Sequence, residues 1–461
     1  MNINQIIKLE ITDMTDDGSA VGKLDNIAVF CDKGVVGDVV SAQIIKVKKN
    51  YVVAKVKEIL ERSCLRNEEE LCEIQDFCGG CQILDISYDK QLKIKKDMVF
   101  QKLTRIGNIE NPMINDVIGM DKPYRYRNKV QLPVGGTIDN IKIGFYKQKS
   151  HEIIPFKDCI IQDQINNEII NIVKRYMSFA KIKSYNEKDS TGVLRHIVTK
   201  ISNDKSQIML ILVTNIDKKL DISYLIEDIK KNNLNITSIV QNINKKNTNV
   251  ILSSDNILLY GNDFITEYID DLKFKIYPNS FFQVNYTQME KMYQKALDYA
   301  QITKDDIVYD LYCGIGSISL LLAKRAKYVY GVEVVQQSIT SAKDNARENN
   351  IDNVEFICGK VENEIKKLTK KAKSPDIIVL DPARKGCEKT VLDTIISVSP
   401  RKIVYISCNP STLARDLKIL LESAKYILEE VSPFDLFCHS LCRSEERRVG
   451  KECRSRWSPY H

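Results

Sequence analysis

Ile307-Val-Tyr-Asp310-Leu-Tyr312-Cys-Gly314-Ile-Gly316 is the stretch whose reading decides the fold. Its apolar start reads as a buried strand, its glycines as a tight turn, and Ser317 to Lys324 as the helix that follows. Tyr328-Val-Tyr-Gly-Val-Glu333 is the next strand and ends in an acid. Open parallel sheets bind ligands at the carboxyl ends of their strands, where a glycine turn admits a nucleoside and an acid can hold ribose hydroxyls. The turn reads Asp-x-x-x-Gly-x-Gly, not Gly-x-Gly-x-x-Gly, which argues against a nicotinamide-dependent oxidoreductase.

Downstream, Ile377-Ile-Val-Leu-Asp381-Pro-Ala-Arg384-Lys-Gly386 is a third strand ending in an acid. Lys402 to Ser407 is a fourth, stopped by Cys408-Asn-Pro410, and Ser411 to Asp416 restarts as a helix. Cys408 thus stands at a strand end just before a helix N-terminus, which favours thiolate over a thiol of pKa about 8.5. A lone cysteine is more often a small core residue; four strand ends bearing polar groups argue otherwise. Upstream, Phe281-Phe-Gln283-Val-Asn285 is an amide-rich turn that could line the same mouth. This strand–helix rhythm resembles the S-adenosylmethionine (SAM) form of the doubly wound α/β fold.

The 461 residues suit two to four domains, and 43% hydrophobic content is that of a folded chain. No apolar run reaches membrane-spanning length, and Met1-Asn-Ile-Asn-Gln opens no signal peptide, so a cytoplasmic protein with no membrane partner is expected. Thirteen cysteines then point to metal, cluster or catalytic use. The net charge of +7 permits a polyanionic partner without requiring one.

Residues 1–60 read as short alternating strands, a small β-barrel of the oligonucleotide-binding kind, with Lys46, Lys48, Lys49 and Tyr51 clustered. This pattern resembles the TRAM domain, an RNA-binding barrel. Residues 61–270 read as a central α+β domain, with helices over 85–106 and 217–233 and strands over 192–199, 207–213 and 236–240. Tyr124-Arg-Tyr-Arg-Asn-Lys129 suits base stacking and phosphate contact, or an exposed strand. Cys72, Cys78 and Cys81 form a C-x5-C-x2-C array around Gly79-Gly80, with Cys64 and Cys159 as candidate fourth ligands. The spacing fits a 4Fe-4S cluster or structural zinc.

The 281–285, 310–316, 381–386 and 407–410 motifs together resemble the RNA uracil-5-methyltransferase family. With the barrel and the cysteine array, the likeness is to its ribosomal-RNA branch. It extends to about residue 441. The resemblance implies cofactor contacts at Gln283, Tyr312, Glu333 and Asp381, a nucleophile at Cys408, and a 4Fe-4S cluster on Cys72, Cys78, Cys81 and Cys159, leaving Cys64 spare. It implies SAM as cofactor and RNA, foremost ribosomal RNA, as partner of a monomer; tRNA uridine, or a catalytically inactive RNA-binding assembly factor, is the alternative.

The methyltransferase domain is expected over 271–442. The family's His-Val-Glu general base and the last strand of its sheet belong just past residue 440. Here His439-Ser440 runs instead into an Arg-rich tail, 443–461, holding the chain's only Trp. A non-native tail and impaired turnover are therefore expected.

Overall fold

The computed structural model describes residues 1–15, 18–67, 72–148, 150–371 and 374–441. The tail expected over 443–461 lies outside them.

Strands β1 (Ile6–Met14), β2 (Ala20–Leu24), β3 (Ile27–Cys31), β4 (Val39–Val47) and β5 (Tyr51–Glu61) close into a barrel in the order β1-β2-β3-β5-β4. Every second residue points inward: Ile7, Leu9 and Ile11 face Val40, Ala42, Ile44, Val52 and Ala54 in one apolar core. That period of two is what the sequence showed. Lys46, Lys48, Lys49 and Tyr51 stand exposed on the hairpin joining β4 to β5. Buried Asp38 accepts hydrogen bonds from the Val35 and Ser63 amides and pairs with Arg66, which also pairs with Asp85. Removing one partner would strand a buried charge, at a cost of about 3–5 kcal/mol.

Helix α1 (Tyr88–Arg105) follows. The centre is a seven-stranded sheet of β6 (Lys129–Thr137), β7 (Asn140–Tyr146), β8 (Ile153–Pro155), β9 (Leu194–Ile201), β10 (Ile208–Thr214), β11 (Ile236–Ile243) and β12 (Asn256–Gly261), in the order β12-β11-β10-β9-β6-β7-β8. Helices α2 (Ile165–Phe179) and α3 (Ser223–Lys231) pack on each other and into its core. The helix expected over 217–233 starts later because Asp221 accepts the amide and hydroxyl of Ser223, making a turn instead.

A hairpin of β13 (Ile265–Ile269) and β14 (Leu272–Ile276) leads to α4 (Tyr286–Ala300). Then β15 (Ile307–Leu311), α5 (Ser317–Ala323), β16 (Tyr328–Glu333), α6 (Gln336–Glu348), β17 (Val354–Cys358), α7 (Val361–Lys371), β18 (Ile377–Leu380), α8 (Lys389–Val398), β19 (Lys402–Tyr405) and α9 (Pro410–Glu422) alternate. The five strands are all parallel, in the order β17-β16-β15-β18-β19. The order reverses at β15, so the switch point lies between β15 and β18. Apolar clusters cover both faces of the sheet. Helix α1 packs on α9, and residues 431–435 pair with 113–118. No helix among the described residues is long and apolar enough to cross a membrane.

Asp310 closes β15 fully buried, accepting the Ser319 hydroxyl of α5 at one oxygen, while its other oxygen meets no hydrogen-bond donor. Burial lifts its pKa to about 6, and the charge of Glu333 adds to the rise against the Ser319 bond. An unfolded aspartate titrates near 3.9. Between those values the folded state keeps a proton that the unfolded chain has lost, so stability held below about pH 4 is lost as pH rises through about 6. Asp310→Asn keeps the bond and removes the titration. In urea titrations, the variant's stability relative to the parent should grow by about 3 kcal/mol between pH 4 and 7.

Candidate active site

The carboxyl ends of β15 and β16 form one half of the site. Gly314 and Gly316 carry positive φ, 55° and 82°. A Cβ on Gly316 would come within 2.8 Å of the Phe356 ring, whereas one on Gly314 would meet nothing within 4 Å. The turn is therefore packed beneath and open above. Glu333 folds back over it, accepting the amides of Gly314 at 3.3 Å and Val335 at 2.9 Å. Val334 and Val335 follow, 58% and 50% exposed. An open glycine turn, a carboxylate held by two amides and two bare valines suit a ribose and a flat apolar ring. Tyr312 has positive φ, packs against the apolar cluster of Leu311 and Leu380, and shares a hydrogen bond with Cys387. It braces the turn from one side.

Gln283, Asp381, Arg384 and Cys408 line a single cavity of about 580 Å3. Cys408, half-buried, follows β19 and precedes the N-cap of α9. Asn409 is that cap, its side chain accepting the Ser411 amide at 3.0 Å, and Pro410 opens the helix without an N–H to satisfy. Buried Asp416 on α9 accepts the Cys387 amide at 2.8 Å and the Tyr405 hydroxyl at 2.6 Å. Arg415 donates to the carbonyls of Lys385 and Cys387, and Asn409 and Thr412 donate to that of Arg384. The loop after Asp381 is thus fastened to the first turns of α9, beside Cys408. Gly386 makes the close approach possible: a Cβ there would lie 2.6 Å from an Asp416 oxygen. Burial pushes the Cys387 thiol up to about 11, so it stays protonated.

The Gln283 turn is held from three sides. Asn128 donates to the Gln283 carbonyl at 3.0 Å, Asn285 caps α4 through the Gln288 amide and donates to the Leu436 carbonyl, and buried Lys200 binds the carbonyls of Tyr277 and Ser280.

Cys72, Cys78, Cys81 and Cys159 belong to one apolar cluster, whereas Cys64 is exposed outside it. Burial raises the pKa of Cys72, and charges on Cys159 and Cys78 would raise it further. Among the described residues no three His, Cys, Asp or Glu side chains are arranged as a ready metal cage. The donor chemistry of the four thiols is that of a thiolate-bound metal group. Arg125, bonded to Asp158 and to the Cys159 carbonyl, fixes the loop that delivers Cys159.

The segment Tyr124–Lys129 departs from the expected exposed stacking surface. Tyr124 stacks on His439 at 5.2 Å, Arg125 pairs with Asp158, Tyr126 donates to the Cys438 carbonyl, and Arg127 lies 5.5 Å over Phe437. It is a joint between the central sheet and residues 437–439. Beside it lies another arrangement that sequence reading missed: Lys95 on α1 binds Asp435, which also accepts the Tyr88 hydroxyl. These partners lie hundreds of residues apart, and no local pattern announces them. Val334 and Val335 could have been found, because two apolar residues directly after a strand-closing acid are unusual at an exposed strand end.

A family described as tRNA (uracil-5-)-methyltransferase matches residues 87–442, and the TRAM domain matches residues 2–57. An uncharacterised RNA methyltransferase of Clostridium acetobutylicum is 47% identical over 94% of each chain, and one of Staphylococcus aureus is 42% identical over 94% of this chain and 95% of its own. Among solved structures, Pyrococcus abyssi tRNA (uracil-54, C5)-methyltransferase in complex with S-adenosyl-L-homocysteine superposes with a TM-score of 0.76 at 27% identity, covering 94% of this chain and 98% of that one. Carrying a TRAM barrel ahead of its parallel sheet, the chain belongs to the tRNA (uracil-5-)-methyltransferase family and is an RNA methyltransferase.

Proposed function

We propose that this chain methylates carbon 5 of a uridine in large-subunit ribosomal RNA, with Cys408 adding covalently to carbon 6. The reading is carried by the cavity that gathers Cys408, Gln283, Asp381 and Arg384 at the strand ends next to the open glycine turn. Glu333 would hold the ribose hydroxyls of SAM, with Gln283, Tyr312 and Asp381 nearby. SAM, when bound, supplies the methyl group. The ribosomal assignment rests on the barrel and cysteine array together; methylation of tRNA, which the Pyrococcus relative's name specifies, is the second reading.

Carbon 5 of uracil is a poor nucleophile. The Cys408 thiolate forms a C–S bond at carbon 6, and the displaced electron pair spreads over carbon 5 and the carbon 4 oxygen as an enolate. Arg384 stands on the cavity wall where that charge or an RNA phosphate needs a cation. After carbon 5 has taken the methyl group, a base must remove its proton; the double bond re-forms and the C–S bond breaks. Of the described carboxylates lining the cavity, Asp381 is assigned to the cofactor, Glu429 binds Lys402, Glu430 binds Asn115 and Lys295, and Asp435 binds Lys95 and Tyr88. With these engaged, and no Glu directly after His439-Ser440, proton removal is the slow step. Reaching Cys408 requires the target base to leave its stack. Cys72, Cys78, Cys81 and Cys159 would hold the 4Fe-4S cluster, which would supply a rigid cross-link between the array and the Cys159 loop.

Four measurements test this reading. With RNA containing 5-fluorouracil, which cannot lose a proton from carbon 5, the chain should form a denaturation-resistant adduct, and Cys408→Ala should form none. The same change should lower methylation by about a thousandfold or more. An adduct with tRNA and none with ribosomal RNA would move the substrate to the second reading. Replacing Lys46, Lys48 and Lys49 with Ala should weaken RNA binding for all sequences alike and flatten its log–log salt dependence by about 2. Protein purified without oxygen should carry iron and acid-labile sulfide that Cys78→Ala lacks and Cys64→Ala retains; zinc in their place would replace the cluster with a structural metal.

A further inference from the structure

Cys387 is buried behind both halves of the site, and the chemistry proposed above leaves it unused. Its thiol shares one hydrogen bond with the Tyr312 hydroxyl of the glycine turn and another with the Tyr405 hydroxyl of β19. Tyr405 donates to Asp416 at 2.6 Å, and the same Asp416 oxygen accepts the Cys387 amide at 2.8 Å. The other Asp416 oxygen accepts from Arg415 Nε at 2.8 Å. The protons available fix the direction of each bond. Tyr405 has one O–H and points it at the Asp416 carboxylate, so toward Cys387 its oxygen accepts. The thiol, kept protonated by burial, therefore donates its S–H to Tyr405, and its sulfur accepts the O–H of Tyr312. One directed chain runs through Tyr312, Cys387, Tyr405 and Asp416, and each bond polarises the next.

This chain lies where the sheet ends. The last rungs of the parallel ladder set Leu311 opposite Leu380 and Leu380 opposite Tyr405. Tyr312 and Cys408 both lie past them. Tyr312 also stands at φ 72°, a backbone that L side chains rarely adopt and that neighbours must hold. Its amide bonds the Val332 carbonyl, and Glu333 holds the Gly314 amide, so the turn keeps its own shape without the thiol. Where the turn stands relative to β19 is a separate matter, and Cys387 is bonded to both. We propose that Cys387 is a positioning residue whose thiol ties the glycine turn to the strand that delivers Cys408, and so sets the spacing between methyl donor and nucleophile. This rests on the glycine turn and Cys408 acting as proposed above. Methyl transfer needs both partners at reacting distance at once, whereas binding either one alone does not. Loss of the chain therefore lowers the rate of the joint step and spares each separate affinity.

The test uses the full chain and RNA containing 5-fluorouracil. That adduct forms once the C–S bond and the methyl group are in place, before any proton is removed, so the slow step does not mask it. In single turnovers at saturating SAM, Cys387→Val keeps the size and removes the hydrogen bonds, and should form the adduct about tenfold to a hundredfold more slowly than the parent. Its dissociation constants for S-adenosyl-L-homocysteine alone and for RNA alone should stay within about twofold of the parent's. Cys387→Ser, whose hydroxyl donates and accepts as the thiol does, should recover most of the rate. Tyr405→Phe breaks the same chain and keeps the ring, so it should match Cys387→Val, and the double variant should be no slower than the slower single one. Should Cys387→Val fail to fold, Tyr405→Phe decides by the same rate and affinities. A parent-like rate in either variant, a serine variant no faster than the valine one, additive losses, or a rate loss matched by weaker S-adenosyl-L-homocysteine binding would overturn the proposal and leave the reading of Cys408 standing. A parent chain that forms no adduct removes that reading, and this proposal with it.

Discussion

The parallel register of β15 with both its neighbours is the constraint from which the site follows. Asp310 stands opposite Gly331 on β16 and Val379 on β18, and Leu311 opposite Val332 and Leu380. That alignment brings the glycine turn, Glu333 and Asp381 to one edge of the sheet at one height. β19, in register with β18, adds Cys408 to the same edge. A shift of one residue along any of these strands would turn its apolar residues from one face to the other. The two core clusters therefore hold the register, and the register holds the chemistry. The fully buried Tyr309 and Leu311 on one face and Val308 on the other leave little freedom to slip.

Much of this was legible because each strand of the parallel sheet is a short apolar run that stops abruptly at a polar or turn residue. Asp310, Glu333, Asp381 and Cys408 all mark such stops. The barrel was legible for a different reason: one face of each strand sees a core and the other sees water, so period two survives in the sequence. The strands of the seven-stranded sheet were found only where they are buried on both faces, as in β9 and β10. Its outer strands, β7, β8 and β12, carry mixed patterns that a lone sequence does not separate from loops. β17, Val354-Glu-Phe-Ile-Cys358, is an edge strand with only Phe356 buried, and it went unseen.

What stayed hidden in the site is what depends on distant partners. Tyr124–Lys129 has the composition of a nucleic-acid surface, yet Arg125 is spent on Asp158, Tyr124 on His439 and Arg127 on Phe437. Composition reports which groups are available, not which partners reach them first. Asp416 looks like an ordinary helix residue, and only its burial against the Cys387 amide and the Tyr405 hydroxyl gives it a positioning role. A buried carboxylate that accepts several hydrogen bonds is costly to disturb. It ties the loop after Asp381 to the helix that begins beside Cys408.

The two halves of the site are joined by the last described stretch of chain. Asp435 reaches back to Lys95 and Tyr88, Leu436 to Asn285, Cys438 to Tyr126, and His439 to Gln91 and Pro123. Burial pulls the His439 pKa down to about 4, so the ring is neutral at ordinary pH and serves as a hydrogen-bonding joint. Every one of these contacts crosses more than a hundred residues of sequence. The segment therefore fixes α1, the Gln283 turn and the central sheet relative to β19, and the cavity wall opposite Cys408 is as firm as those bonds. A catalytic cysteine delivered by a rigid strand has an edge only if the facing wall is equally fixed. Here the facing wall is the last described stretch of the chain.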